Sequence, residues 1–252
     1  MKNNLRSLIV CMSFFLVLTV CHTVLAEEKP AQAKDASKKM NVSGYDETAR
    51  GVNTPMYNYY AKVIKEKTGI TKGVCLDVGS GGGYMGLALA KITDLDFIFL
   101  DISAEMLEKA KLHIVEDGLQ KRAKTLLADV HNIPLPDGSI NLVISRGSIP
   151  FWKDPAKALK EIYRVLAPGG KAYVGGGRGT PEVKAQIGAR IKERNPAWHD
   201  RSKKNGDHRK ECEESLKNAG ITNCSVIIGK EGSWIEMNKL YQKNNLEVAV
   251  NE

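Results

Sequence analysis

Four glycines crowd one short stretch, Gly79-Ser80-Gly81-Gly82-Gly83, directly after the apolar run Val74-Cys75-Leu76-Asp77-Val78. Backbone without Cβ atoms can turn sharply there and let a ligand come close. The helix that opens next, through Met85, Leu87, Leu89 and Ala90, turns unpaired N–H groups toward an anionic or electron-rich partner. Gly81-x-Gly83-x-x-Gly86 satisfies the dinucleotide fingerprint, and Asp101, 20 residues after Gly81, stands where a ribose-binding acid belongs. A second acid, Asp77, lies two residues before the first glycine, inside the strand end. A lone fingerprint is weak evidence, so these residues by themselves leave an NAD(P)-dependent oxidoreductase open.

The elements around the loop define the scaffold. Residues 54–67 form a helix with Met56, Tyr59, Tyr60 and Val63 at helical spacing. Phe97-Ile98-Phe99-Leu100 is a strand ending at Asp101, and Ser103 caps a helix running to about Glu116. Residues 124–128 and 140–145 are further strands. Asp154-Pro155 starts a helix with Leu159, Ile162, Tyr163 and Leu166 on one face, stopped by Pro168-Gly169-Gly170 before the strand Ala172-Tyr173-Val174. A basic, helical insertion covers about 181–210, followed by a helix through Leu216. Strands at 225–228 and 233–237 are so closely spaced that they must be antiparallel. The expectation is a doubly wound, Rossmann-like α/β fold: a mostly parallel seven-stranded sheet, helices on both faces, closing in an antiparallel hairpin.

Three segments resemble class I S-adenosylmethionine-dependent methyltransferases, in the branch with the ubiquinone- and menaquinone-type and small-molecule enzymes. Asp77-Val-Gly79-Ser-Gly81-Gly-Gly83 resembles the family's first motif. The run from Ala128 through Asp129-Val130-His131 to Pro136-Asp137-Gly138 and Val143 is similar to its acidic adenine-contacting segment. Glu161-Ile-Tyr-Arg164-Val-Leu-Ala-Pro168-Gly-Gly-Lys171 is similar to its helix, turn and fifth-strand start. The resemblance covers most of 70–175 and implies S-adenosyl-L-methionine as cofactor. It implies that Asp77, Ser80 and the backbone of Gly79, Gly81 and Gly83 hold the methionine part, and that Asp101 accepts the ribose hydroxyls. Ile102 would pack on the adenine, Asp129 would accept from its amino group with Val130 alongside, and Ser145 and Arg146 would lie near the sulfonium.

Methyl transfer from a sulfonium is an in-line displacement whose leaving group needs no proton, so alignment and water exclusion matter more than a base. No catalytic dyad is readable. Tyr45, His131, Arg146, Trp152, Trp198 and His199 are acceptor-site candidates. Arg146 leads them because strand C-terminal ends are where such sheets bind ligands.

Composition bounds the rest. The 252 residues, 42% hydrophobic and 26% charged, are ordinary for one large domain. Lys2, Arg6, the apolar run 8–18 and Val24-Leu25-Ala26 predict a signal peptide at 1–26, with an uncleaved membrane anchor as the alternative. A polar tether at 27–39, the domain at 40–240 and a tail at 241–252 would follow. Beyond the signal only Cys75, Cys212 and Cys224 remain, with no C-x-x-C pair, so no metal is suggested and only a Cys212–Cys224 bridge is conceivable. The net charge of +8 resides largely in residues 178–210, where ten Lys/Arg face four Asp/Glu. That surplus favours a small, anionic acceptor, with nucleic acid a weaker partner. Export and cofactor conflict, since S-adenosylmethionine is kept in the cytoplasm. A non-catalytic binding protein of the same fold therefore stays open beside the oxidoreductase. Oligomeric state is not readable.

Overall fold

The computed structural model describes residues 41–197 and 209–241. The expected signal, the tether, Trp198, His199 and nearly all of the tail lie outside the described residues. Seven strands are present: β1 (Lys72–Val78), β2 (Asp94–Asp101), β3 (Ala123–Leu127), β4 (Ile140–Arg146), β5 (Leu166–Gly177), β6 (Cys224–Ile228) and β7 (Gly232–Asn238). The helices are α1 (Val42–Gly51), α2 (Thr54–Thr68), α3 (Tyr84–Ala90), α4 (Ala104–Glu116), α5 (Pro155–Val165), α6 (Pro181–Arg194) and α7 (Arg209–Asn218).

The strands make one sheet in the order β3-β2-β1-β4-β5-β7-β6. All neighbours are parallel except β7, which runs antiparallel to both β5 and β6. The chain winds outward from β1 through β2 and β3, then resumes on the other side with β4. The crevice at the C-terminal ends of β1 and β4 is therefore the switch point where open α/β sheets take their ligands.

Side chains alternate between two cores, as a pleat of period two requires. Cys75, Phe97, Phe99, Leu142, Ile144, Tyr173 and Trp234 face α2 and α3. Leu76, Val78, Ile98, Leu100, Val143, Val174 and Ile235 face α5 and α7, with Leu159, Ile162 and Leu216 opposite them. Capping follows the local chemistry: the Ser103 hydroxyl accepts from the Met106 amide, and the Asp154 carboxylate accepts from the Lys157 amide ahead of Pro155.

Three features differ from the sequence reading. α1 has no counterpart in the sequence reading, because its only buried residues are Val42 and Ala49, too few to mark a helix by themselves. On α2 the buried face is Met56, Tyr57, Tyr60, Ala61 and Ile64, leaving Tyr59 and Val63 at its border. β5 begins at Leu166 and runs through Pro168-Gly169-Gly170: the register with β4 jumps from Ile140↔Leu166 to Leu142↔Lys171, so the extra residues bulge out of the ladder.

Candidate active site

The glycine loop sits in the crevice with Gly79, Gly81 and Gly83 at φ of 63°, 55° and 83°, a region that side-chain-bearing residues rarely adopt. Its shape is held by the Ser80 amide donating to the Leu100 carbonyl (3.0 Å) and the Gly83 amide to the Ser80 carbonyl (2.9 Å). Gly86, in the next helix, is needed for a different reason. A methyl there would run into the Phe99 ring and lie 3.0 Å from an Asp77 carboxylate oxygen.

Asp77 is buried at the end of β1, and its Oδ2 accepts from the Gly86 amide at 3.0 Å. Burial pushes its carboxyl up to about 7, and the nearby Asp101 charge adds to this while the Gly86 amide opposes it. Asp101 ends β2 with both oxygens engaged: Oδ2 accepts from the Gly81 amide and Oδ1 from the Ser103 amide, each at 2.8 Å. Those bonds aim the carboxylate, and each oxygen keeps a lone pair for a ligand hydroxyl. Ile102 beside it is 72% exposed, an apolar side chain standing in solvent.

Asp129 follows β3 and is half exposed. It accepts from both the backbone N–H and the ring Nδ1 of His131, and these bonds lower its carboxyl below the ordinary range. His131 Nε2 accepts from the Asp154 amide at 3.1 Å. The imidazole thus bridges two loops as the Nδ1–H tautomer and has no free nitrogen for an acceptor. Val130 is buried, so it packs inward where Ile102 stands out.

The Glu161–Arg164 segment clamps this region from α5. Arg164 donates to the carbonyls of Ile133 (2.7 Å) and Leu135 (2.9 Å) and pairs with Glu161 and Asp137, while Glu161 accepts from the Ile133 amide.

At the end of β4, the Ser145 hydroxyl is buried against that of Ser148. Arg146 donates to the Gly177 carbonyl at 3.1 Å and lies 5.4 Å from the Tyr57 ring centre, but its buried Nε has no hydrogen-bond partner. A cavity of about 30 Å³ is lined by Tyr45, Tyr57, Asp77, Gly79, Tyr84 and Arg146, among others. Three tyrosines roof it, with ring centres 5.6 Å apart for Tyr57 and Tyr84 and 6.1 Å for Tyr45 and Tyr84.

The structure thus gathers Asp77, Gly79, Ser80, Gly81, Arg146 and Tyr45 in one place, with Asp101 bonded to the same loop and Asp129 at the next strand end. Trp152 instead packs against the core behind the sheet. Cys212 and Cys224 are free thiols, so the conceivable disulfide is not formed. Tyr57, Tyr84 and Met85 were missed as lining residues. Tyr84 directly follows the glycines, a signal that was present, but Tyr57 reaches the site only through the rotation of α2. Among the described residues no cluster of His, Cys, Asp or Glu could hold a metal ion.

Comparison with known proteins agrees with this arrangement. The family profile described as "Methyltransferase domain" matches residues 76–174. A 2-methyl-6-phytyl-1,4-hydroquinone methyltransferase from rice is 35% identical over 98 residues, 38% of this chain and 28% of that protein. A ubiquinone/menaquinone biosynthesis C-methyltransferase from Rickettsia bellii is 38% identical over 101 residues, 38% of this chain and 41% of that protein. The chain therefore matches well under half the length of these curated relatives. A crystal structure assigned as an S-adenosyl-L-methionine-dependent methyltransferase from Methanococcus maripaludis is similar over far more of the chain. It is 37% identical, covers 84% of this chain and 99% of its own, and superposes with a TM-score of 0.74. With the glycine loop, the strand-end acids and the inserted antiparallel strand in their places, this chain belongs to the class I S-adenosylmethionine-dependent methyltransferase family.

Proposed function

We propose that the chain transfers a methyl group from S-adenosylmethionine to a small acceptor bearing an ionisable oxygen, a phenol or quinol foremost. The observation that carries the acceptor class is Arg146, the one cation among the described residues lining the cavity, with a buried Nε–H that has no hydrogen-bond partner among the described residues. A cation held where water is scarce favours an oxyanion beside it. The hydroquinone and ubiquinone/menaquinone methyltransferases among the relatives support an acceptor of this kind.

The residues present fit the cofactor. Acids end three neighbouring strands, and Ile102 is an apolar face in solvent next to Asp101. S-Adenosylmethionine, when bound, supplies an electrophilic methyl group on sulfur, displaced in line. Asp77 would hold its ammonium group, Asp101 the ribose hydroxyls and Asp129 the adenine amino group. Tyr45, Tyr57 and Tyr84 exclude water from the reacting end. Arg146 stabilises the acceptor oxygen as an anion, so no protein base need remove its proton during transfer.

Calorimetric titration of the chain with S-adenosylmethionine, S-adenosylhomocysteine and NAD(H), repeated on Asp101→Ala, tests the cofactor. Transfer of labelled methyl to a panel of quinols, carboxylates and phosphates tests the acceptor. Quinol methylation that Arg146→Ala abolishes, with S-adenosylhomocysteine affinity retained, is the expected result. Binding of NAD(H) alone would overturn the reading. Adenosyl binding with no transfer to any member of the panel would make the chain a binding protein.

A further inference from the structure

α1 is seated by polar contacts. Its buried apolar residues are Val42 and Ala49 alone, yet it delivers Tyr45 to the wall of the cavity beside Asp77 and Arg146. Two of its ion pairs, Arg50 with Glu116 and Arg194 with Glu47, join largely exposed side chains, where water and salt weaken them. Asp46 differs. Its carboxylate is 15% exposed and meets three groups from two other helices. Oδ1 accepts from the Tyr84 hydroxyl at 2.8 Å and faces His113 Nε2 at 3.2 Å, and Oδ2 faces Lys109 Nζ at 3.7 Å.

Two of these partners lead back to the glycine loop. Tyr84 is the first residue after it, and its ring lies against Gly81 and Gly82. His113 is buried, and its Nδ1 is 2.7 Å from the Gly82 carbonyl. The Nδ1 contact is a hydrogen bond with the loop backbone, and the Nε2 approach to Asp46 is a close polar contact, so the His113 ring lies between Asp46 of α1 and Gly82. The cavity beneath, at about 30 Å³, has room for roughly one water molecule. α1 carries one of the three tyrosine rings that line it.

We propose that Asp46 is a positioning residue for the cofactor pocket, docking α1 over the glycine loop and, through Tyr84 and His113, tying the closure of that helix to the loop's conformation. The proposal rests on the methyltransferase reading above for the ligand but not for the coupling itself.

The test compares wild type with Asp46→Ala, Asp46→Asn and His113→Gln in S-adenosylhomocysteine affinity, thermal midpoint and hydrogen exchange. Asp46→Ala is expected to weaken binding about tenfold or more, the scale of one lost charge-assisted hydrogen bond. Exchange should speed up at both 42–51 and 80–84, with β1 and β2 unchanged. Asp46→Asn, which keeps an acceptor for Tyr84, should fall between Asp46→Ala and wild type. His113→Gln should loosen 80–84. Unchanged affinity in Asp46→Ala, or faster exchange confined to 42–51, would overturn the proposal by showing that Asp46 only anchors a helix. If wild type fails to bind S-adenosylhomocysteine, the methyltransferase reading fails instead, and the joint exchange of the two segments still decides the coupling. Should Asp46→Ala fail to fold, the isosteric Asp46→Asn and His113→Gln carry the comparison.

Discussion

The Asp77 carboxylate, with almost no exposure to solvent, accepts a single backbone hydrogen bond, from the Gly86 amide at 3.0 Å. One amide does not compensate for burial, which is why the carboxyl sits near 7 instead of its ordinary 3.8. In the unfolded chain the group ionises near 4, so folding favours the protonated form. The stability this group contributes is complete below pH 4 and is lost as pH rises through 7. The loss is on the order of 4 kcal/mol at most. Asp77→Asn should flatten the decline, making the variant at least as stable as wild type at pH 8 and no more stable at pH 4. Urea midpoints of the two proteins across that range check this, and parallel profiles would refute it.

Gly86→Ala should be destabilising despite the better helix propensity of alanine. The added methyl meets the Phe99 ring and crowds Asp77. Overpacking of this kind costs about 1–3 kcal/mol. Thermal or urea unfolding measures the cost. A stabilised variant would mean that α3 has room to move away from β2.

Asp101 binds the Gly81 and Ser103 amides, one with each oxygen, so Asp101→Ala strips the loop of its anchor as well as the ligand of its acceptor. The expected loss of S-adenosylhomocysteine affinity is about 100-fold or more, from two charge-assisted bonds. Asp101→Asn, which can keep only one amide-accepting oxygen, should lose less than Asp101→Ala. Equal affinity in all three proteins would exclude Asp101 from the site.

Arg164 holds two loop carbonyls and two carboxylates with one planar fork. Arg164→Ala should cost about 2 kcal/mol in urea unfolding, since it leaves polar groups without partners. Exchange of residues 130–138 should rise with it. Arg164→Lys should not rescue, because an ammonium cannot span the fork. Full rescue by lysine would show that charge alone matters here.

Residues 1–26 are expected to be removed after Ala26, leaving Glu27 as the first residue. N-terminal sequencing of chain recovered from a secreting host checks this. An intact N-terminus on membrane-bound protein would favour the anchor.

Much of the scaffold was legible because it depends on local rules. Strand alternation, the caps at Ser103 and Asp154 and the short 229–232 turn each have a signature within a few residues. The glycine loop and the strand-end acids were legible because a turning loop demands glycine and a strand-end acid adds nothing to a core. Long-range competition was not legible. The hairpin could be read, but not that β7 would lie inside it against β5. There Trp234 stacks on Tyr173 with ring centres 4.6 Å apart, and β7 is buried while β6, the more apolar of the two by composition, takes the edge. α1 escaped notice for the same reason: its seat consists of partners from α3, α4 and α6. By itself the sequence determined the doubly wound order, the glycine loop and the acids at the strand ends. Only the tertiary structure decided that Tyr57 and Arg146 share one wall, that His131 is committed to two loops, and that His113 lies between Asp46 and Gly82. Each of those depends on side chains far apart in the chain meeting in one buried volume, and spacing along a sequence carries no record of that.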